Sequence, residues 1–272
     1  PSRPGAANVD SKEIEAPRRL VALTPSLTEI VFDLGKGDSL VGVSMCSDYP
    51  LQTATIPKVG SYVRPDIEKI VALRPDLCLA LAGHTPHGAI DKLRSLGLRV
   101  AVFEAECLED VAQSLESAGR LLGASSRGRE LAEDLRRRMN EIERQADLRL
   151  ERPRVFYQIG ADPLITAGSK TFIHELLVTA GGANIAGKAE GYHKIGLEEV
   201  LASAPQVILA SSRHMPGCQE RLREQWAKWT TLPAVRDGRL YCLEGTTVER
   251  PTPRLAEGLE LLAGLIRFGR KP

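Results

Sequence analysis

The chain has 272 residues, 43% of them hydrophobic and 26% charged; that length exceeds the ~100–200 residues of one ordinary domain and sets two lobes as the expectation. Its 36 basic and 35 acidic residues leave a net charge of +1 at pH 7, a balance that argues against a nucleic-acid-binding protein, which carries a basic surplus. No apolar run approaches the ~18–20 residues needed to span a bilayer.

Residues 1–18 are rich in Pro, Ala and charge and read as a flexible leader. They hold no apolar stretch of the signal-peptide kind, so the chain is expected to be cytosolic or to begin after cleavage. Arg19–Leu23 reads as a short apolar strand. A turn at Thr24-Pro25-Ser26 follows, with Ser26 or Thr28 as N-cap of a helix that runs to Leu34 and stops at Gly35. Leu40–Val43 is a second strand, Pro65–Leu73 a helix, Asp76–Ala82 a strand, Ala89–Leu96 a helix ended by Gly97, and Arg99–Phe103 a strand. Strands alternating with short helices predict a mainly parallel sheet.

Residues 125–150 break this rhythm, with no Pro and no Gly after Gly128. Leu131, Leu135, Met139, Ile142 and Ala146 form one apolar stripe at helical spacing, and Glu133–Arg137 and Asp134–Arg138 are i,i+4 pairs in the favoured order. A helix here spans roughly 35–40 Å, which suits a strut between lobes. After Pro153 the alternation restarts: strands at Val155–Ile159, Gln206–Ala210 and Arg239–Leu243, helices at Thr171–Thr179 and Pro253–Phe268, and Trp226 and Trp229 packed from one helix. The expected organisation is a leader (1–18), an N-terminal lobe (19–122), a connecting helix (123–151) and a C-terminal lobe (152–272).

One segment of each half matches the other at a constant offset of 130 (198 − 68). Residues 67–80 and 197–210 share Glu, Ala, Pro, Leu and Ala, at Glu68/Glu198, Ala72/Ala202, Pro75/Pro205, Leu79/Leu209 and Ala80/Ala210. Each copy predicts a short helix, a Pro-containing turn and a buried strand, and two similar lobes follow. Glu68 and Glu198 fall in the first turn of their helices, where the helix dipole favours a carboxylate. As a pair they would suit a two-fold partner with two basic pockets.

The five cysteines (Cys46, Cys78, Cys107, Cys218, Cys242) contain no C-x-x-C, so zinc and thioredoxin-type readings are weak. Cys78, in the run LCLALA, reads as a buried small hydrophobe. An odd count leaves one thiol over unless a bond is intermolecular, and the pairing stays open. His174-Glu175 begins an H-E-x-x-H motif but lacks the second His. His193 and His214 read as surface residues.

Several stretches together resemble the helical-backbone periplasmic binding proteins of ABC importers: Val41-Gly42-Val43-Ser44, Ser47-Asp48-Tyr49-Pro50, Pro57-Lys58-Val59-Gly60, Ile67 to Leu77, Gly181 to Ile185, and Trp229 to Tyr241. Ser47-Asp48-Tyr49-Pro50, Glu249-Arg250 and Pro253-Arg254 stand nearest the cobalamin-binding members. The resemblance implies an α/β fold of two Rossmann-like lobes with mainly parallel sheets, joined by one long α-helix and holding a ligand between them. It implies a monomeric, extracytoplasmic and non-enzymatic binding protein, with or without a lipid anchor and with no intrinsic cofactor. Its partners would be a corrinoid, cobalamin or cobinamide, and a two-fold membrane permease, with Glu68 and Glu198 docking on the permease and no nucleic acid partner.

The ligand residues implied are Tyr49, Tyr62, His84, Ile165, Tyr192, Thr246 and Arg250. Tyr49, Tyr62 and Tyr192 fall in loops, where flat aromatic surfaces suit a corrin disc, and Arg250 could donate to amide or phosphate oxygens. The chain departs from the family at Leu81, where the family has a cleft Trp, and at Thr246, where it has an aspartate. His84 and His87 follow Leu81, and His84 could supply an axial nitrogen to ligand-borne cobalt or iron. One alternative is haem or a ferric siderophore, with Tyr62 near the position of an axial tyrosine. The other is a metallocluster oxidoreductase, for which the first βα turn, Leu23-Thr24-Pro25-Ser26, lacks a glycine-rich phosphate motif.

Overall fold

The computed structural model describes residues 16–148, 150–211, 217–243 and 245–268; the leader expected over 1–18 falls largely outside them, as does His214. The described residues divide into two compact units, one within Pro1–Ala105, Glu109–Leu135 and Pro251–Pro253, the other within Glu106–Leu108, Arg136–Arg250 and Arg254–Pro272.

In the first unit β1 (Leu20–Ala22), α1 (Pro25–Asp33), β2 (Leu40–Val43), the hairpin β3 (Gly60–Ser61) and β4 (Arg64–Pro65), α2 (Ile67–Ala72), β5 (Leu77–Leu81), α3 (His87–Ser95), β6 (Val100–Phe103) and α4 (Leu108–Leu121) follow in order. The sheet runs β2-β1-β5-β6, all parallel. Thr24, not Ser26 or Thr28, caps α1: Pro25 takes the first helical position, so the cap is the residue before it, and Thr24 Oγ1 accepts from Leu27 N at 3.4 Å. Thr28 is instead bonded to Ser47, Oγ1 to Oγ at 2.9 Å. The helix expected from Ala89 begins two residues earlier, at His87.

α5 (Ser125–Asp147) is the long helix. It starts later than the expected residue 123 because Gly123, at φ +68°, ends the preceding helix, and it stops at Asp147 rather than 151. Ala132, Leu135, Ile142 and Ala146 are buried along it, with Leu131 and Met139 half-buried, so the stripe faces protein. Arg138 reaches across to Glu260, Nη2 to Oε1 at 2.9 Å.

The second unit contains β7 (Arg154–Gln158), β8 (Gly160–Ala161), β9 (Leu164–Ala167), α6 (Phe172–Thr179), β10 (Ala183–Asn184), β11 (Tyr192–Lys194), α7 (Leu197–Ser203), β12 (Val207–Ser211), α8 (Cys218–Trp226), α9 (Pro233–Arg236), β13 (Leu240–Leu243), α10 (Gly245–Val248) and α11 (Leu255–Phe268). Its parallel sheet runs β10-β7-β12-β13, which is the order of the first sheet strand for strand. A small antiparallel sheet, β11-β9-β8, was not foreseen. α8 ends at Trp226, so Trp229 lies beyond the helix; it still packs against the core, with Lys228 Nζ 5.3 Å from its ring centroid. α11 starts at Leu255, two residues after the expected Pro253.

The repeat is visible in the packing. Ile70, Cys78 and Ala80 sit in the first unit's core, and Val200, Ile208 and Ala210, each 130 positions on, sit in the second's. Burial pushes the Cys78 thiol up to about 12, as a small hydrophobe in an apolar strand requires. The two copies also share a device that the offset does not reveal. Arg19 Nη2 donates to Leu73 O at 2.6 Å and its Nε to Arg74 O at 3.1 Å. Arg154 Nε donates to Ser203 O at 2.9 Å and its Nη2 to Ala204 O at 2.9 Å. Each arginine thus satisfies the carbonyls left open where the repeat helix ends. Both helices end with a left-handed residue, Arg74 at φ 46° and Ala204 at φ 42°.

Cys218 and Cys242 form a disulfide between α8 and β13. Gln219 lies beside it: its Nε2 donates to Leu240 O and its Oε1 accepts from Cys242 N, both at 2.9 Å. The bridge and the amide together cover the outer edge of β13.

Candidate ligand-binding site

In parallel α/β sheets, ligands gather beyond the carboxyl ends of the strands. At that end of β5, residues 81–85 form a tight turn. Leu81 O accepts from His84 N at 3.2 Å and from Thr85 N at 2.8 Å, while Thr85 Oγ1 accepts from Leu81 N at 3.3 Å. Gly83, at φ +71°, gives the turn its left-handed residue. Leu81 and Thr85 are buried and His84 is exposed at the tip.

Tyr62 is carried by the β3–β4 hairpin. Gly60 is required there, since a Cβ would lie 2.6 Å from Arg64 O. The Tyr62 and His84 rings come together with centroids 6.5 Å apart and planes at 53°. His87 opens α3 and is exposed; the ring that meets Tyr62 is that of His84.

Tyr49 is 44% exposed on the segment that follows Ser47. That segment is tied down by Lys58, whose Nζ donates to Ser47 O at 2.7 Å and Thr53 O at 3.0 Å. Partial burial lowers the Lys58 ammonium below the usual lysine range, with Asp48 and Cys46 opposing. This part of Lys58 was not among the expectations from sequence; a lysine between a proline and a valine, Pro57-Lys58-Val59, was the available signal.

In the second unit, β9 and β11 pair Tyr192 with Ala167 and Lys194 with Ile165. Opposed residues share a face, so Tyr192, Lys194 and Ile165 lie on one side of this sheet, and His193 and Thr166 on the other. Thr166 Oγ1 donates to Tyr157 O on β7 at 2.8 Å, which turns its face toward the main sheet. Ile165 and Tyr192 are therefore brought together, and Tyr192 is 60% exposed. Protein around the phenol raises its pKa above the ordinary tyrosine value, and the Glu249 carboxylate adds to the shift. Glu249 Oε1 accepts from Tyr157 Oη at 3.0 Å. Glu249 and Tyr157 were not among the expected ligand residues, although Glu249 stands beside Arg250 in the motif. Arg250 is only 5% exposed, so it is not the projecting donor the sequence implied. Thr246 belongs to α10, and its side chain lies outside the described residues.

Among the described residues no helix is long and apolar enough to cross a membrane, and no group of three or more His, Cys, Asp or Glu is placed to hold a metal ion.

Residues 20–246 match the model of the periplasmic binding protein family. The chain is 32% identical over 242 residues to the vitamin B12-binding protein of Vibrio parahaemolyticus, covering 88% of this chain and 86% of that protein. The crystal structure of the periplasmic vitamin B12-binding protein of Vibrio cholerae superposes with a TM-score of 0.81 at 30% identity, covering 94% and 99% of the two chains. A periplasmic heme-binding protein from Pseudomonas aeruginosa superposes with a TM-score of 0.82, also at 30% identity, covering 94% and 95%.

Proposed function

Because the chain belongs to the periplasmic binding protein family, we propose that it is the substrate-binding protein of an ABC importer, with a corrinoid as its cargo. The observation that carries this is the similarity in sequence and fold, over nearly the whole chain, to vitamin B12-binding proteins. Aromatic residues on each unit support it, Tyr49 and Tyr192 exposed and Tyr62 half-buried. On the first unit Tyr49 and Tyr62 offer flat rings suited to an apolar disc; on the second Tyr192 does, with Ile165 on the same face of its sheet. The protein acts as a monomer outside the cytoplasmic membrane, captures its cargo and releases it chemically unchanged. Haem is the second reading, favoured by the heme-binding structure of equal similarity and by Tyr62 beside His84.

Titration with cyanocobalamin, cobinamide and haemin, followed by intrinsic fluorescence and absorption, separates these readings. Saturable binding of a corrinoid is expected; binding of haemin with no response to either corrinoid would overturn the choice.

The permease is the second partner. Glu68 and Glu198 are both exposed in the first turns of α2 and α7, at equivalent positions of the repeat. We propose them as the docking carboxylates. The double variant Glu68→Ala/Glu198→Ala is expected to keep its ligand affinity and to lose stimulation of the transporter's ATPase. A loss of ligand affinity would place them in the ligand site instead.

A further inference from the structure

The His84 ring makes one contact whose chemistry reaches beyond shape. Its Nδ1 lies 3.2 Å from the carbonyl oxygen of Ala82. A carbonyl oxygen only accepts, so Nδ1 carries the proton. In the neutral ring the lone pair then sits on Nε2. A carbonyl on the far nitrogen fixes this tautomer, orients the ring and makes Nε2 a better metal ligand. The tight turn from Leu81 to Thr85 holds the residue in place, and the ring is exposed beside Tyr62. His193 shows that the local contact alone is not enough. Its Nδ1 lies 3.1 Å from Gly191 O, yet the ring is half-buried and on the face of β11 opposite Tyr192.

We propose that His84 binds, through Nε2, the cobalt of a corrinoid whose lower axial position is open. Such a corrinoid either lacks a nucleotide base or has its base detached. The proposal rests on the corrinoid reading and narrows it to a class. The bond formed is Nε2–Co and the bond broken is Co–OH2, with the water released to solvent. No electron moves, and no proton moves because Nε2 carries none. A corrinoid with its own base bonded to cobalt has no lower position to offer. His84 therefore adds an axial bond to cobinamide and none to base-on cobalamin.

The test is electron paramagnetic resonance of the intact protein mixed with cob(II)inamide, reduced beforehand, in buffer free of imidazole and other nitrogen bases. Cob(II)inamide has no axial nitrogen of its own. Binding through His84 is expected to split each cobalt line into a triplet, and 15N-histidine labelling of the protein to turn the triplet into a doublet. His84→Phe is expected to abolish the splitting and weaken cobinamide binding about tenfold or more, and to weaken cyanocobalamin binding by a clearly smaller factor, since no axial bond is lost there. His214→Gln, 130 residues on in the sequence, is the control and keeps the splitting. Tight cob(II)inamide binding without nitrogen splitting would overturn the role of His84 and leave the corrinoid reading intact. Splitting lost in His214→Gln would also overturn it. No corrinoid binding at all would overturn both.

Discussion

The two units are built on one plan and differ where the plan reaches solvent. Both have a four-stranded parallel sheet of the same order, a repeat helix seated on a fully buried residue (Ile70 or Val200), and an arginine closing that helix's carboxyl end. The first unit adds a hairpin bearing Tyr62 and a turn bearing His84. The second adds the antiparallel sheet bearing Ile165 and Tyr192, a disulfide, and an amide along its sheet edge. What is shared holds the chain up, and what is unshared carries the candidate ligand chemistry. The difference can be pressed experimentally because both tryptophans, Trp226 and Trp229, lie in the second unit, so their fluorescence reports on that unit alone.

The largest effect is expected at the matched core leucines, Leu79 and Leu209, both fully buried. Leu79→Ala and Leu209→Ala should each cost about 3 kcal/mol, the usual price of a cavity in a packed strand. In urea, Leu209→Ala should move the fluorescence transition, and Leu79→Ala the circular dichroism of the first unit. An unmoved transition for one leucine would break the equivalence of the units.

The disulfide should follow closely and on one side only. Cys218 and Cys242 are 24 residues apart, and a loop of that size implies roughly 3 kcal/mol from chain entropy. Cys218→Ser/Cys242→Ser should lower the fluorescence transition and spare the first unit; equal loss in both would show that the bridge does not act locally.

Smaller and again symmetric, Arg19→Ala and Arg154→Ala should each cost about 1 kcal/mol, a modest value because both arginines are exposed. Arg→Lys should recover little, since one ammonium cannot span two carbonyls.

The smallest expected effect is a pH dependence confined to the second unit. Asn184 Nδ2 donates to Ala167 O at 2.7 Å and lies 3.1 Å from His174 Nδ1, which must therefore accept. Burial lowers the His174 pKa below the ordinary histidine value. The unfolded chain then takes up the proton first on acidification, so stability is full above the ordinary pKa and falls until pH passes the lowered one. His174→Gln should flatten that slope in the fluorescence transition; an unchanged slope would assign it elsewhere.

The shared plan was largely legible in the sequence. Alternating apolar runs, the match between residues 67–80 and 197–210 and the stripe along α5 all follow from burial, which imposes a period. The unshared parts were less legible because short, irregular segments have none. β8 and β9 are two and four residues long around Asp162-Pro163, and Ile165 entered by resemblance alone. The arginine closures escaped notice because Arg19 and Arg154 are 135 apart (154 − 19), off the repeat's offset, and a charge before a strand reads as surface. The disulfide could not be chosen among five cysteines. The Tyr62–His84 pairing joins a hairpin to a strand-end turn, a contact no local pattern encodes.

Cargo identity is best decided by competition. The protein would be dialysed against an equimolar mixture of cobinamide, cyanocobalamin and haemin, and the absorption spectrum of the retained fraction recorded. Corrin bands at one equivalent, without a haem Soret band, are expected; a Soret band with no corrin absorption would contradict the assignment of this chain to corrinoid uptake.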